Sequence, residues 1–222
     1  MLTSDRKVIL GTVRVTRLEV GMLGTNCYLL KDLDSGEGYI IDPGAAARRI
    51  LDSASASSLT CLGVLCTHGH MDHVGAVGTV AEGTGASVFI SQKDAGILAG
   101  SAPGLSNRLG SLFVSKPGEV EFIKGGDTLS LGEDTIKVLS TPGHTVGSLS
   151  FLAADGIFCG DLVFQGSIGR TDLKGGSLPD LLDSVSREVW VLNDETAIYP
   201  GHGPVTSVGI EKETNPYLRN LE

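Results

Sequence analysis

The chain has 222 residues, of which 41% are hydrophobic and 19% charged, so it can bury a sizeable core without disulfides or structural metals. Its formal net charge of −9 argues against a nucleic-acid partner, because phosphate backbones bind basic surfaces. The start, MLTSDRKVILGTVRVT, is charged where a signal peptide needs an apolar run, and no apolar run is long enough to cross a bilayer. We therefore expect a cytoplasmic protein with no membrane partner.

Short apolar runs separated by glycine-rich turns begin the chain. VILGTVRVTRLEV, NCYLLKD and GYIIDPG are typical of strands, and helical spacing follows over residues 45–59. The continuous apolar run over residues 62–67 predicts a buried strand that leads into the stretch THGHMDH. A helix is predicted over residues 72–82, with Asp72 near its N-cap, where a carboxylate suits the free backbone N–H groups.

The same alternation continues towards the C-terminus. SVFI predicts a strand, and the Gly/Ser/Pro-rich residues 91–118 predict a loop over a pocket, with a short helix at 92–99. EVEFI, DTLSL, TIKVLS, SLSFLA and AIYP predict further strands, and apolar periodicity predicts a helix over residues 177–193. No linker divides the chain, so we predict a single domain over residues 1–222.

Two stretches of the chain resemble each other. NCYLLKDLDSGEGYIIDPG and SLSFLAADGIFCGDLVF each place two apolar runs around a turn and reach an aspartate, Asp42 or Asp161, near the end of the second run. A helical pattern follows each of them. This predicts two similar halves, each with strands followed by a helix, packed face to face.

The four cysteines, Cys27, Cys61, Cys66 and Cys159, form no CxxC pair and lie in apolar, strand-like surroundings. This pattern predicts buried free thiols in a reducing compartment. The alternative is a redox or metal-binding role for Cys66 or Cys159, which directly precede the polar motifs.

All five histidines of the chain lie in loops at predicted strand ends, and none lies on an apolar face. Three occur in THGHMDH, and the others follow the strands TIKVLS and AIYP. Open sheets bind ligands outside the carboxyl ends of their strands, so these loops are expected to meet at one pocket. With two aspartates, the candidate ligands are His68, His70, Asp72, His73, His144, Asp161 and His202.

This set has too many ligands for one metal ion, because a catalytic zinc takes only three protein ligands. His68 and His70, two residues apart on extended chain, point the same way and can share an ion, whereas Asp72 and His73 can face a second one. A two-metal site with a carboxylate between the ions is therefore predicted. Asp42, in IIDPG, is either a turn residue or the partner that holds a ligand imidazole.

The motifs THGHMDH, TPGHT, FCGD and YPGHG, in this order, resemble the metallo-β-lactamase superfamily over most of the chain. The resemblance implies an α/β fold, a four-layer αβ/βα sandwich. It also implies that His68, His70 and His144 hold one metal, that Asp72, His73 and His202 hold the second, and that Asp161 bridges them.

Within that superfamily, DLVFQGSIGRTD and YPGHGPVTSVGIEKETNPYL are similar to short members of the glyoxalase II group, the hydroxyacylglutathione hydrolases. The likeness implies a small-molecule thioester such as S-lactoylglutathione as substrate, attacked by a metal-bridging hydroxide, with Asp72 orienting it or passing its proton. Class B lactamases usually have Cys or Ser in place of Asp161, so a lactam substrate is not expected. Nucleases of the superfamily usually have an inserted domain, for which this chain has no room. Arg170 matches a substrate-binding basic residue. Because few residues follow His202, we expect this chain to lack the C-terminal glutathione-binding domain of longer enzymes.

Two other functions fit the same motifs. Persulfide dioxygenases of the superfamily also resemble this chain and use one iron, here held by His68, His144 and Asp161. A zinc-binding domain without activity is the third possibility, although such relatives commonly lose ligands. Two divalent ions are expected in the hydrolase, zinc in the first instance, with iron or a mixed pair as the alternative.

Overall fold

The computed structural model describes residues 6–98 and 119–221. Its first sheet has seven strands that are neighbours in chain order. The strands are β1 (Arg6–Leu10), β2 (Val13–Val20), β3 (Thr25–Asp32), β4 (Glu37–Ile41), β5 (Thr60–Leu65), β6 (Val88–Ile90) and β7 (Val120–Phe122). The first four are antiparallel, and β4 to β7 are parallel.

The second sheet has six strands in the order β15-β14-β11-β10-β9-β8. They are β8 (Thr128–Leu131), β9 (Asp134–Ser140), β10 (Leu149–Ala153), β11 (Gly156–Gly160), β14 (Ala197–Pro200) and β15 (Thr206–Ser207). A separate hairpin of β12 (Val163–Phe164) and β13 (Ser167–Ile168) follows β11. In each sheet an antiparallel pair, β3–β4 or β10–β11, is followed by a parallel neighbour, which agrees with the two predicted halves.

The helices lie between and after the strands. They are α1 (Ala47–Ala56), α2 (Met71–Val74), α3 (Val77–Thr84), α4 (Ala95–Leu98), α5 (Leu178–Ser184) and α6 (Val208–Thr214), and a π-helical turn, Val185–Val189, continues α5. No helix within the described ranges has the length and hydropathy needed to cross a bilayer. Of the loop predicted over residues 91–118, residues 99–118 lie outside the described part.

The predicted helix over residues 72–82 is wrong in one respect, because the structure divides it into α2 and α3. The loop after β4 enters the break, where the backbone N–H of Ala76 donates to the carbonyl of Pro43 at 2.9 Å. A Cβ on Gly75 would lie 2.4 Å from the Gly44 carbonyl oxygen. The close approach of two backbones therefore ends the helix, and periodicity alone could not reveal it.

Three apolar clusters lie between four layers. Residues of the first sheet such as Ile40 pack against α1 and α3, and Ile41, the next residue, faces the second sheet. In the same way Phe158 faces the first sheet, whereas Ile157 packs with α5 and α6. Successive side chains of a strand point to opposite faces of its sheet, so β4 and β11 are each apolar on both faces. The predicted αβ/βα sandwich is confirmed.

The C-terminal helix holds the β12–β13 hairpin through two fully buried polar residues, Glu211 and Asn215. The Glu211 carboxylate accepts from the Gly166 backbone N–H at 2.9 Å and from Asn215 Nδ2 at 2.8 Å. Asn215 Nδ2 also donates to the Ser167 carbonyl at 3.0 Å. This network fixes the hairpin that connects Asp161 to the following loop.

We predict that Asn215→Ala lowers the free energy of unfolding by about 2 kcal/mol, because it removes one buried donor to the Glu211 carboxylate and the side-chain donor to the Ser167 carbonyl. Urea unfolding followed by circular dichroism measures the change. Asn220→Ala, the same substitution at an exposed position, is the control and should change stability by less than about 0.5 kcal/mol. Equal effects of both substitutions would contradict the role of the network.

Candidate metal centre

The candidate ligands lie where strands of the two sheets end. THGHMDH follows β5, and Asp161 and His202 follow β11 and β14, which are parallel neighbours. Thr25, at the start of β3, forms an isolated β-bridge with His202 and so connects the two sheets. The structure brings all seven predicted ligands together in three overlapping groups, His68/His70/His144, His68/His73/Asp161 and Asp72/His73/His202, whose ligand atoms lie within 4.8 Å of one another.

The first group consists of three imidazoles. His70 Nδ1 lies 2.8 Å from His144 Nε2. His68 is 1% exposed, and its Nε2 has no hydrogen-bond partner among the described residues. A buried nitrogen without a partner costs free energy unless a ligand meets it. The group therefore has the chemistry and the unsatisfied atom expected of a metal position.

The ligand group Asp72/His73/His202, called the second group from here on, contains two imidazoles and a carboxylate. His73 Nε2 lies 3.3 Å from His202 Nε2 and 3.5 Å from Asp72 Oδ2, and His202 Nε2 lies 3.2 Å from the same carboxylate oxygen. His73 is fully buried, whereas the side chains of Asp72 and His202 are about one quarter exposed, at 26% and 25%. This side of the centre is accessible from solvent.

Asp161 lies between the two groups. Its Oδ1 is 3.3 Å from His73 Nε2, and its Oδ2 is 3.5 Å from His144 Nε2. Oδ1 is buried and lacks a partner with hydrogen-bond geometry in the described chain. A Cβ on Gly201 would lie 2.3 Å from Oδ1, so only glycine leaves room beside this oxygen. The placement suits a carboxylate that gives one oxygen to each of two ions.

Hydrogen bonds at Nδ1 orient three of the rings. Nδ1 of His73 lies 2.9 Å from Asp42 Oδ2, Nδ1 of His144 lies 2.7 Å from the Arg170 carbonyl oxygen, and Nδ1 of His202 lies 3.2 Å from the Leu23 carbonyl oxygen. Carbonyl oxygens and ionised carboxylates only accept, so each Nδ1 has the proton that is donated. Nε2, which faces the centre, is then the atom left to bind a metal.

His68 is oriented through a hydroxyl group. Thr67 Oγ1 donates to Asp42 Oδ2 at 2.6 Å and lies 3.1 Å from His68 Nδ1. Because the hydroxyl hydrogen is used on Asp42, the oxygen accepts from His68 Nδ1, and Nε2 again faces the centre. Asp42 therefore holds an imidazole of each group, which agrees with its predicted role as a partner of the ligands. The donor set and its unpaired atoms fit divalent metal ions.

A family model described as the metallo-beta-lactamase superfamily matches residues 20–202. The chain belongs to the metallo-β-lactamase superfamily. Among relatives in this superfamily, an uncharacterized protein of Mycobacterium leprae is 40% identical over 219 residues, which cover 93% of this chain and 99% of the relative. Hydroxyacylglutathione hydrolase GloC of Haemophilus influenzae is 35% identical over 199 residues, which cover 88% of this chain and 93% of the relative.

Three crystal structures of similar proteins share the fold. BLEG-1, described as a B3 metallo-β-lactamase, is 35% identical, with a TM-score of 0.83, and the match covers 92% of this chain and 99% of that one. TTHA1623, in a di-iron-bound form, is 35% identical, with a TM-score of 0.79 and coverage of 91% and 99%. ETHE1 from Myxococcus xanthus is 32% identical, with a TM-score of 0.73 and coverage of 91% and 83%.

The protonation of this superfamily centre differs between its two groups. Burial, followed by neighbouring imidazoles, lowers the pKa of His68 and of His70, so both rings are neutral at neutral pH. Burial also lowers the pKa of His73, but the carboxylates of Asp42 and Asp161 outweigh it and hold that pKa well above its ordinary value. A metal that binds His73 Nε2 must displace a proton, so binding at the second group releases protons.

Arg170 takes part in the centre through its backbone. Its side chain is 60% exposed and donates from Nε and Nη2 to the Asp172 carboxylate at 2.8 and 2.7 Å. The carbonyl of the same residue orients His144. Sequence reasoning could not find this contact or the Leu23 carbonyl, because every residue has a carbonyl group. Thr67 was also missed, although its position between a strand and His68 was a usable signal.

The four cysteines are free thiols, and Cys27, Cys66 and Cys159 are buried whereas Cys61 is half-buried. Burial raises the pKa of the Cys66 thiol and raises that of Cys159 to about 12. Neither sulfur belongs to a ligand group among the described residues. Thiols of this kind are poor nucleophiles and poor metal ligands, so the interpretation as structural thiols agrees with the structure.

We predict that Asp42→Asn weakens metal binding by roughly 10- to 100-fold, because it removes the anionic acceptor of His73 and of Thr67. Titration of the metal-free protein with zinc against a competing chelator measures the affinity. Asp52→Asn, at an exposed carboxylate of α1, is the control and should bind as the parent protein does. Unchanged affinity in folded Asp42→Asn protein would show that this carboxylate does not support the ligands.

Proposed function

We propose that the protein is a binuclear metal-dependent hydrolase of small-molecule thioesters, of which S-lactoylglutathione is the test substrate. The observation on which the proposal rests is that the two carboxylate oxygens of Asp161 lie near different ligand groups, Oδ1 at 3.3 Å from His73 Nε2 and Oδ2 at 3.5 Å from His144 Nε2. Asp42 orients His73 of the second group as well as His68 of the first, and a single ion bound at the first group would not require the orientation of His73. The 35% identity to GloC, a hydroxyacylglutathione hydrolase, supports the thioester over other acyl compounds.

Two divalent ions bound there would supply an activated water and stabilise the negative charge that develops on the substrate oxygen. His68, His70 and His144 would hold one ion, and Asp72, His73 and His202 the other, with Asp161 between them. Zinc is the proposed metal, and a di-iron centre is the alternative, since TTHA1623 was crystallised in that form.

Asp72 is the proposed proton acceptor. Burial raises the pKa of its carboxyl, but the hydrogen bond from His202 and the charge of His73 outweigh burial and hold that pKa well below its ordinary value. The group therefore stays ionised. Thr25 Oγ1 donates to Asp72 Oδ2 at 3.3 Å and orients the carboxylate. A thiolate is a good leaving group, so no residue has to protonate it. Asp72 would orient the water that the bound ions activate, or pass its proton on.

Recognition is assigned to the thioester group itself rather than to a glutathione carboxylate. The guanidinium of Arg170 already binds Asp172 through two nitrogen atoms, so a substrate carboxylate would have to displace that partner. The acyl chain and the thiol carrier are therefore expected to vary more freely than the scissile bond.

A second candidate is the mononuclear iron persulfide dioxygenase that the sequence motifs also resemble, and His68, His144 and Asp161, which would hold its iron, lie together in the structure. That chemistry would use His68, His144 and Asp161 and would not need His202. Zinc or iron content per chain, together with oxygen uptake on glutathione persulfide, separates the two candidates. A β-lactam should be included in the assays, since BLEG-1 is described as a lactamase.

We predict that His202→Ala and Asp161→Ala each lower kcat/KM for S-lactoylglutathione on the order of 10³-fold, because each disrupts the second ligand group or the bridge. Hydrolysis followed by thiol release measures the loss, and metal analysis should find less than two ions per chain. Asp155→Ala, in the exposed turn at the other end of β11, is the control and should keep full activity.

If the protein is instead a mononuclear dioxygenase, His202→Ala should keep its iron and its oxygen uptake, whereas Asp161→Ala should lose both. Parent protein that contains one iron per chain and does not hydrolyse the thioester would overturn the hydrolase proposal.

A further inference from the structure

Asp94 is a buried carboxylate outside the ligand set that contacts both turns around the first ligand group. It is 2% exposed and lies directly before α4. Its Oδ2 accepts from the Gly69 backbone N–H at 2.9 Å and from Thr145 Oγ1 at 2.7 Å. Gly69 separates His68 from His70, and Thr145 follows His144. One oxygen atom therefore connects the two turns that supply the three imidazoles.

We propose that Asp94 is a positioning residue that sets the spacing of His70 and His144 and thereby the metal affinity of the first group. The inference rests on the proposed metal centre, but it concerns a residue that would touch neither metal nor substrate. The two ring nitrogens that face each other, His70 Nδ1 and His144 Nε2, are 2.8 Å apart. Their separation depends on how the two turns are held together.

Among the described residues, the turn that contains His144 has few other hydrogen bonds to the THGHMDH loop. The backbone N–H of Leu149 donates to the Thr67 carbonyl at 2.8 Å, which fixes the turn at its far end. Ser148 Oγ contacts Thr145 within the turn itself, at 2.8 Å between the hydroxyl oxygens. Asp94 adds a contact to residues that are sequence neighbours of the ligands, Gly69 and Thr145, so its removal should loosen the turns that supply the imidazoles.

Packing prevents the Asp94 carboxylate from turning away. A Cβ on Gly147 would lie 2.3 Å from Asp94 Oδ1 and 2.9 Å from its backbone nitrogen, so the glycine lies directly against it. Both hydrogen bonds end on Oδ2, the opposite oxygen. An asparagine whose amide oxygen takes the place of Oδ2 can accept both bonds, whereas alanine can accept neither. Both variants remove the negative charge and only alanine removes the hydrogen bonds, so comparing them separates the effect of the charge from that of the hydrogen-bonding side chain.

The experiment is zinc titration against a competing chelator in the His202→Ala background, which leaves the first group as the principal metal position. We expect Asp94→Ala to weaken zinc binding by roughly 10- to 100-fold and Asp94→Asn by less than about threefold. Cobalt in place of zinc provides a second readout, since its visible absorption reports the geometry of the ligands. Asp94→Ala should alter that spectrum, and Asp94→Asn should restore it.

The control is Asp32→Ala, which removes another buried carboxylate that also accepts two hydrogen bonds. Asp32 Oδ1 accepts from the Ser35 backbone N–H at 2.8 Å and from Ser35 Oγ at 2.7 Å, in the turn between β3 and β4. This variant should lose stability in urea but keep the zinc affinity of its parent. Equal loss of affinity in the Asp32→Ala and Asp94→Ala proteins would reduce Asp94 to a structural residue and overturn the proposal.

Thr145 gives a second test in case Asp94→Ala does not fold. Thr145→Val removes the hydroxyl from Asp94 at nearly constant volume, and Thr145→Ser keeps it. Weakened binding in the valine variant with recovery in the serine variant supports the proposal, and equal affinities overturn it. A parent protein that binds no divalent metal would instead refute the metal centre itself, so the two failures are distinguishable.

Discussion

The buried carboxylate of Asp42 is the contact on which the rest of the centre depends. It accepts directly from His73 and, through Thr67, fixes the proton on His68, so one charge orients a ring in each ligand group. A carboxylate that is 2% exposed would be costly without these donors. The ligands and their support therefore stabilise each other, and the geometry that binds a metal is present in the protein chain itself.

The layered fold makes this arrangement possible. Asp42 follows β4, His68 follows β5, and Asp161 follows β11, so carboxyl ends of strands from two sheets supply both the support and the ligands. The apolar layer between the sheets keeps them at a fixed distance, and the bridge between Thr25 and His202 joins their edges. The strands that form the core therefore also position the site, and short loops at their carboxyl ends are enough to bring the ligands together.

Residue type explains which parts of the site could be predicted from the sequence. Histidine is scarce in this chain and lies only at strand ends, so the ligands could be found. The four layers were implied by the family resemblance and agreed with the two similar halves of the sequence. The break between α2 and α3 was hidden, because it results from the backbone of Gly44 approaching Gly75 from a distant loop. The carbonyls of Leu23 and Arg170 were hidden too, since a backbone acceptor has no residue signature.

The proposed reaction and the proposed substrate preference depend on different parts of this protein, the metal centre and the exposed residues around it. Four of the five imidazoles at the centre are oriented by hydrogen bonds at Nδ1, so most of the proposed ligands are positioned before a substrate arrives. Arg170, in contrast, has an exposed side chain that pairs with the exposed carboxylate of Asp172 and lies outside the buried hydrogen-bond network of the centre. An enzyme built this way can keep one hydrolytic centre while its substrate preference changes through exposed residues. That is the pattern expected where relatives of similar identity are described as a thioester hydrolase and as a lactamase.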